Sequence, residues 1–467
     1  MRLHKTFLSA TVLFALAGSV LAQTGRSIHV DLKETRLANG LRVITVEDHN
    51  TPVIAVNVTY NVGSRNERQG RTGFAHLFEH MMFQGSENVG KSEHFMLIQN
   101  NGGTMNGTTN EDRTNYFEAL PSNQLELALY LESDRMRSLA VNQENLDNQR
   151  NVVQEERRIG LDNAPYGKSG EIQQELMYDN FAYKHDTIGS MADLNAASVA
   201  DVQSFFKTYY APNNAVLTVV GDFKSAEALA TIKKYFENIP RQADPTPPDM
   251  TEPEQKAERR TSVDDMLARA MRVSIAYKTL PGNTADFYAL QVLANVLGGG
   301  GGGGFGGGGG GSSSRLSQKL LREKEMVNNI SSNAQETRGV GGFYVTATLR
   351  PNVKSEDVEA AVYEEIARLQ KEPIADWELQ KARNGARRNF INGLQSSLAR
   401  ANSIGQYAVY YGDPNLINTR VDKVSAVTKE DVQRVANKYL VQTNRTVVIT
   451  VPKGSGRGGM QSGAMQQ

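Results

Sequence analysis

The stretch His76-Leu77-Phe78-Glu79-His80 contains two histidines and a glutamate at positions i, i+4 and i+3 of a segment that we predict to be helical. Residues three and four positions apart lie on the same face of a helix, so the three side chains can point in one direction. Two imidazoles and a carboxylate are the groups that a hydrolytic zinc site uses. Core histidines satisfied by their neighbours are the alternative interpretation of the same residues.

A catalytic zinc ion usually has three protein ligands, so a third ligand must lie elsewhere in the chain. Glu156 is the strongest candidate. It follows His80 by 76 residues, in a charged segment from Asn148 to Arg158 that we predict to be a helix with a short apolar stripe. The adjacent Glu155 is the alternative, because charged residues on helices are usually solvated.

Three features of the sequence together resemble one family of metallopeptidases. The order His-x-x-Glu-His reverses the familiar His-Glu-x-x-His motif, which is the inverzincin pattern. Glu156 follows at the family's spacing, and between them lies Asn101 to Tyr116, with paired glycines, an asparagine, spaced threonines, an aspartate and a tyrosine. The chain thus resembles the pitrilysin family, including the two-domain subunits of the mitochondrial processing peptidase and the bacterial insulinase-like proteins. The resemblance implies that His76, His80 and Glu156 bind Zn2+ and that Glu79 is the general base.

The segment from Asn101 to Tyr116 indicates a strand at the edge of a sheet, because turn-forming Asn and Gly residues lie on both sides of it. An unpaired edge can bind an extended peptide through main-chain hydrogen bonds, whatever the sequence of the peptide. The resemblance implies that the substrate pairs with this strand, where Asn106 would help to fix the substrate backbone.

The composition is that of an ordinary globular protein. Of the 467 residues 39% are apolar and 22% are charged, and the formal net charge is zero. The balanced charge gives no general electrostatic reason to bind nucleic acid or membranes. The chain has no cysteine, which excludes thiolate ligands, disulfides and a lipidated cysteine.

The N-terminus has the parts of a secretory signal: a basic start, an apolar run from Phe7 to Leu16, and small residues up to Ala22. We predict a signal peptide over residues 1–22, cleaved after Ala22, and a periplasmic or secreted protein. A buried N-terminal helix is the alternative. No later apolar run is long enough for a membrane span.

The chain also contains an internal repeat. The segments from Leu194 to Val220 and from Val424 to Ile449 share matched Asp-Val-Gln, Tyr and Asn residues 230 positions apart. Each segment predicts a capped helix, a short turn and a β-branched strand. Two homologous halves are therefore implied, in an α+β fold in which each half is a mixed sheet covered by helices. The resemblance implies the same duplicated fold.

The predicted boundaries follow from composition. Residues 30–240 form the zinc-binding domain, a proline-rich linker covers residues 241–260, and residues 261–453 form the second domain. Residues 454–467 have no pattern and are predicted to be disordered. A glycine-rich loop over residues 298–311 is either a flexible flap that reaches the substrate or an expanded surface loop.

The second domain is predicted to be non-catalytic. Aligning the two halves places Leu290, Leu293 and Ala294 where the first half has its two histidines and Glu79. Because apolar side chains cannot bind zinc, the second domain would serve only as a wall of the substrate chamber.

The sequence therefore predicts an exported zinc metalloendopeptidase that hydrolyses peptides or small unfolded proteins, bound as an added strand in an enclosed chamber. The family encloses substrate between four such domains, so the resemblance implies a homodimer or a heterodimer with a related subunit. A catalytically silent scaffold or partner subunit of such a heterodimer is the alternative. Gln149 favours this alternative, because family members commonly have an acid there and an amide cannot raise the basicity of a metal ligand.

Overall fold

A computed structural model describes residues 29–299 and 313–453 of the chain. The predicted signal peptide, the predicted tail and most of the predicted glycine-rich loop lie outside the described residues. Within them, no helix is both long enough and apolar enough to cross a membrane.

The first half is built on a six-stranded mixed sheet. Its strands are β1 (Lys33–Arg36), β2 (Arg42–Glu47), β3 (Val53–Tyr60), β4 (Thr104–Thr109), β5 (Thr114–Pro121) and β6 (Ala215–Gly221). They lie in the order β1-β2-β6-β3-β5-β4, and only the β2–β6 pair is parallel. This order puts β4 at one edge of the sheet.

Nine helices belong to the described part of this half. They are α1 (Phe74–Met81), α2 (Glu93–Asn100), α3 (Leu125–Ser138), α4 (Gln143–Arg157), α5 (Gly167–Met177), α6 (Phe181–Lys184), α7 (Met191–Ala196), α8 (Val199–Tyr209) and α9 (Ser225–Phe236). Apolar side chains of α1, α3, α4, α8 and α9 form one core with the β-branched residues of the strands. A π-helical turn over residues 158–162 continues α4.

The second half repeats this design. Its strands are β7 (Arg259–Asp265), β8 (Arg272–Lys278), β9 (Val327–Ala334), β10 (Gly342–Leu349) and β11 (Arg445–Pro452). Its described helices are α10 (Ala285–Leu297), α11 (Ser355–Lys371), α12 (Asp376–Asn392), α13 (Ser397–Tyr411), α14 (Leu416–Ser425) and α15 (Lys429–Tyr439). The order β7-β11-β8-β10-β9, with β7 and β11 parallel, matches the first sheet from β2 onwards. The predicted α+β fold of two homologous units is confirmed.

The repeated sequence has the same structural role in both halves. Helices α8 and α15 both begin at a hydroxyl residue whose side chain accepts from a backbone N–H of the first turn, in a capping box closed by an aspartate. In the turn that follows each helix, the Nδ2 of Asn214 and of Asn444 donates to the carbonyl of Tyr209 and of Tyr439, each at 2.8 Å. The shared residues therefore cap the helix and fix the turn that leads into the strand.

Each half also covers the other half's sheet. Helix α13 of the second half packs on β3 and β6 of the first sheet, where Gly405 allows close contact with the hydroxyl of Thr59. Helix α5 of the first half packs on the second sheet, where Ser274 Oγ donates to Gln173 Oε1 at 2.7 Å. Because each half supplies a helix that packs on the sheet of the other, the two halves contact each other at both sheets.

Candidate metal centre

Helix α1 presents its two histidines on the side opposite its buried face. Apolar residues three and four positions apart point into the core: Phe74, Leu77, Phe78 and Met81. The side chains of His76 and His80 are 13% and 21% exposed. Their ring centroids lie 4.8 Å apart, edge to face. The apolar spacing thus fixes the orientation of the helix and turns both imidazoles out of the core.

Glu156 reaches the same point from the last turn of α4, which packs beside α1. Its Oε2 lies 3.2 Å from His80 Nε2, and its Oε1 lies 3.7 Å from His76 Nε2. One possible ligand atom from each residue lies within 4.8 Å of the other two. Half of the Glu156 side chain is exposed. The group is therefore open on the Glu156 side, where a water molecule or a substrate can approach.

The electrostatics of this group suit cation binding. Burial lowers the pKa of His76 to about 4, and the neighbouring His80 acts in the same direction. The hydrogen bond with His80 lowers the pKa of Glu156. At neutral pH, His76 is thus a neutral imidazole and Glu156 a carboxylate, which are the forms that bind metals.

Glu79 lies beside this group but is held by a different element. Thr109 Oγ1, at the end of β4, donates to Glu79 Oε2 at 2.6 Å. Burial raises the pKa of Glu79, and the hydrogen bond from Thr109 acts in the opposite direction. Thr109 was not assigned a role from the sequence, although it is one of the spaced threonines of the segment from Asn101 to Tyr116. The link between Glu79 and β4 depends on the packing of α1 against that strand.

The structure separates Glu156 from the alternative ligand Glu155. The carboxylate of Glu155 forms an ion pair with Arg158 at 2.9 Å on the exposed side of α4. Gln149 is buried on the same helix and donates from Nε2 to Asn148 Oδ1 at 2.6 Å. Of the two adjacent glutamates, Glu156 is the one that the fold brings to the histidines.

Strand β4 pairs with β5 on one side, and none of the described residues pairs with its other side. Asn106 lies on this strand with an exposed side chain, and its Oδ1 accepts from the N–H of Gly107 at 2.9 Å. Gly107 in turn lies against Glu79, since a Cβ there would come within 3.0 Å of Glu79 Cγ. The free edge and the acid are therefore neighbours.

A second group of possible ligands already contains its own cation. His94, Glu118 and Glu132 are buried, with His94 Nε2 3.4 Å from Glu118 Oε2. The guanidinium of Arg135 binds both carboxylate oxygens of Glu132 and lies 4.5 Å from the Tyr116 ring centroid. Because the guanidinium neutralises Glu132, this group contains a buried ion pair and is a poor site for a metal.

Comparison with known proteins gives two family matches. The family described as "Insulinase (Peptidase family M16)" matches residues 42–164, and the one described as "Peptidase M16 inactive domain" matches residues 196–386. Zinc protease PqqE of Helicobacter pylori is 31% identical over 95% of this chain and 98% of that protein. The chain belongs to the peptidase M16 family. This confirms the pitrilysin-type resemblance.

Further M16 relatives extend over most of the chain. The probable mitochondrial-processing peptidase subunit beta of Arabidopsis thaliana is 24% identical over 88% of this chain and 76% of that protein. The crystal structure of a protease from Helicobacter pylori has a TM-score of 0.84 and 31% identity, covering 91% of this chain and 100% of that one. A peptidase M16 inactive domain from Pseudomonas fluorescens shares the fold, with a TM-score of 0.80 and 18% identity over 92% of this chain and 99% of that one.

Proposed function

We propose that this chain is a zinc metalloendopeptidase that hydrolyses peptides or small unfolded proteins. One observation carries the proposal. His76 and His80 from α1 and Glu156 from α4 converge within hydrogen-bond or ion-pair distance, with the carboxylate of Glu79 beside them and a free strand edge next to Glu79. The relatives named zinc proteases support the same assignment.

The donor set fits zinc. Two imidazole nitrogens and one carboxylate are ligand types of catalytic zinc sites, and the open side at Glu156 leaves room for a fourth ligand. His76, His80 and Glu156 would hold the ion. When bound, zinc would supply Lewis acidity to a water molecule and to the scissile carbonyl group.

Glu79 would serve as the general base and acid. It would accept a proton from the attacking water and deliver that proton to the leaving nitrogen of the peptide. Thr109 holds Oε2 of Glu79, which leaves Oε1 for proton transfer. Burial raises the pKa of Glu79, which brings this carboxyl closer to the pKa of an efficient base at neutral pH.

The substrate would add a strand to β4. Main-chain hydrogen bonds to the free edge would orient the peptide without reading its sequence, and Asn106 would contribute a side-chain amide. Because the edge strand also carries Thr109, binding of the peptide and orientation of Glu79 take place on one element. Broad sequence tolerance is expected from this arrangement.

The alternative is a catalytically silent scaffold or partner subunit. The match to the family described as an inactive domain favours it, but that match covers residues 196–386, which lie beyond the four site residues. In the second half, Leu290, Leu293 and Ala294 of α10 are buried apolar residues. We therefore assign catalysis to the first half and a structural role to the second half.

The proposal includes a partner and a location. A second copy, or a related chain, would close a chamber over β4, and relatives named as peptidase subunits support an assembled enzyme. The basic and apolar N-terminal sequence supports export to the periplasm or the medium. Light scattering of the purified protein and N-terminal sequencing of the exported protein test these two points.

The decisive experiment combines metal analysis with peptide cleavage. Purified wild type, Glu79→Gln and the control Glu155→Gln are assayed for bound zinc and for cleavage of an unstructured fluorogenic peptide. We expect zinc in all three proteins and cleavage by wild type and the control only. A wild type that cleaves no peptide, alone or with a related subunit, would favour the silent partner.

A further inference from the structure

Glu67 caps the helix that carries both candidate histidine ligands. Its Oε2 accepts from the N–H of Gly73 at 2.8 Å, and its Oε1 accepts from the N–H of Ala75 at 2.7 Å. The N–H groups of the first helical turn have no partner within the helix, and a carboxylate there also interacts favourably with the helix dipole. Since Glu67 is buried, it fixes the position of the start of α1.

His185 in turn holds Glu67. Its Nε2 lies 2.9 Å from Glu67 Oε2, and its Nδ1 lies 2.9 Å from the carbonyl oxygen of Phe181. The carbonyl oxygen can only accept a hydrogen bond, so Nδ1 of His185 carries a proton. A second proton lies between Nε2 and the carboxylate of Glu67. Burial lowers the pKa of His185, but the hydrogen bond to Glu67, the negative charge of Glu67 and the hydrogen bond to the Phe181 carbonyl together outweigh this, so the net pKa is raised.

The segment that contains His185, residues 181–190, also reaches the other candidate ligand helix. Arg157, which follows the ligand Glu156, donates from Nη1 to the carbonyl of Gly189 at 2.7 Å. Gly189 has a positive φ of 76° and lies directly against Gly73 at the start of α1. A Cβ on Gly189 would lie 2.3 Å from the nitrogen of Gly73, so only glycine fits.

The same segment contacts the second half of the chain. Tyr183 Oη donates to Asp112 Oδ1 at 2.8 Å and accepts from the N–H of Gly339 at 2.8 Å. The N–H of Arg338 donates to Asp112 Oδ2 at 2.8 Å. Residues 181–190 therefore connect the start of α1, the end of α4 and the second half.

We propose that residues 181–190 set the spacing between the two helices that supply the metal ligands, and that His185 is a positioning residue that acts on α1 through Glu67. His185 touches neither the substrate edge nor the ligands. This inference rests on the proposed function only for its effect on zinc binding and catalysis. The effect on the order of α1 follows from the contacts alone.

Removing a group that hydrogen-bonds a metal ligand directly typically changes metal affinity or activity by about 10- to 100-fold. His185 acts one step further away, through Glu67, so we expect His185→Gln to weaken zinc binding and to lower kcat by about 10-fold or less, with KM little changed because β4 is untouched. We also expect faster amide hydrogen exchange at residues 74–77 in the metal-free protein. His94→Gln is the matched control, because the side chain of His94 is 5% exposed, against 12% for His185, and also faces a buried glutamate.

The test measures zinc affinity by chelator competition, hydrogen exchange and kinetics for wild type, His185→Gln, Glu67→Gln, the double variant and His94→Gln. If His185 acts through Glu67, the double variant has the same zinc affinity and kcat as Glu67→Gln alone. Additive losses of zinc affinity in the double variant would overturn the proposal. Amide exchange at residues 74–77 that stays at the wild-type rate in His185→Gln would overturn it too, and so would equal effects of His185→Gln and His94→Gln. If His185→Gln does not fold, His185→Asn, which removes the Nε2 donor, replaces it in the same comparison.

The two proposals fail in different ways. A wild type that binds no zinc contradicts the proposed function, but the comparison of α1 exchange between His185→Gln and His94→Gln still tests the positioning role. A wild type that binds zinc and cleaves peptides, with His185→Gln unchanged in affinity, kcat and exchange, contradicts only the positioning role.

Discussion

Replacing Thr109 with valine removes one hydroxyl and leaves the shape of the side chain nearly unchanged. The hydroxyl donates to the partly buried carboxylate of Glu79 at 2.6 Å. A hydrogen bond to a charged group contributes about 1.5–3 kcal/mol, and each 1.4 kcal/mol of activation free energy changes a rate about tenfold. If the bond holds Glu79 in its reactive orientation, Thr109→Val lowers kcat by about 10- to 100-fold.

The pH dependence of this variant has a defined sign. The hydrogen bond from Thr109 lowers the pKa of Glu79 against the effect of burial, so its loss raises that pKa further. A general base must be deprotonated, and activity is lost as the pH falls through its pKa. The acid limb of the kcat profile therefore moves to higher pH in Thr109→Val than in wild type.

The assay is initial-rate cleavage of an unstructured fluorogenic peptide between about pH 5 and 9, with bound zinc measured for every variant. Thr109→Ser keeps the hydroxyl and should retain most of the activity. Thr104→Val is the matched control on β4, because Thr104 is exposed at the other end of the strand. Wild-type kcat and an unshifted acid limb in Thr109→Val would refute the reasoning, and so would equal losses in the serine and valine variants.

Three further changes test other parts of the structure. Glu156→Gln should reduce bound zinc severalfold or more, while Glu155→Gln leaves it unchanged, as measured by metal analysis. Burial raises the pKa of Glu118 to about 8 from 4.5, so the wild type loses stability as the pH rises between these values. Urea unfolding from pH 5 to 8 should therefore show that the free energy of unfolding of Glu118→Gln, relative to that of the wild type, increases by roughly 1 kcal/mol per pH unit. A Cβ at Gly405 would lie 2.5 Å from a side-chain oxygen of β3, so Gly405→Ala should lower the free energy of unfolding by about 1–3 kcal/mol.

Each of these outcomes has a clear opposite. Equal zinc loss in Glu155→Gln and Glu156→Gln would show that zinc binding depends on the negative charge of α4 and not on one particular ligand. A pH-independent difference for Glu118→Gln would mean that this carboxyl is charged in the folded protein. A Cβ at Gly385 in α12 meets nothing within 4 Å, so Gly385→Ala should not destabilise the protein. A decrease in the free energy of unfolding equal to that of Gly405→Ala would contradict the packing argument.

The sequence by itself determined the features that depend on local spacing. The period of the apolar residues places His76 and His80 on one face of α1, and the repeated cap and turn residues predict the duplicated fold. The turn-forming Asn and Gly residues on both sides of β4 also predict its free edge. These predictions succeed because helix period, capping and turn chemistry act over a few residues.

Only the tertiary structure decided which distant side chains meet. Glu155 and Glu156 have the same chemistry and are adjacent in sequence, and the rotation of α4 against α1 brings one to the histidines and the other to solvent. The contact of Thr109 with Glu79 and that of His185 with Glu67 join residues 30 and 118 positions apart. Such contacts follow from how whole elements pack, and the local pattern of residues does not contain that information.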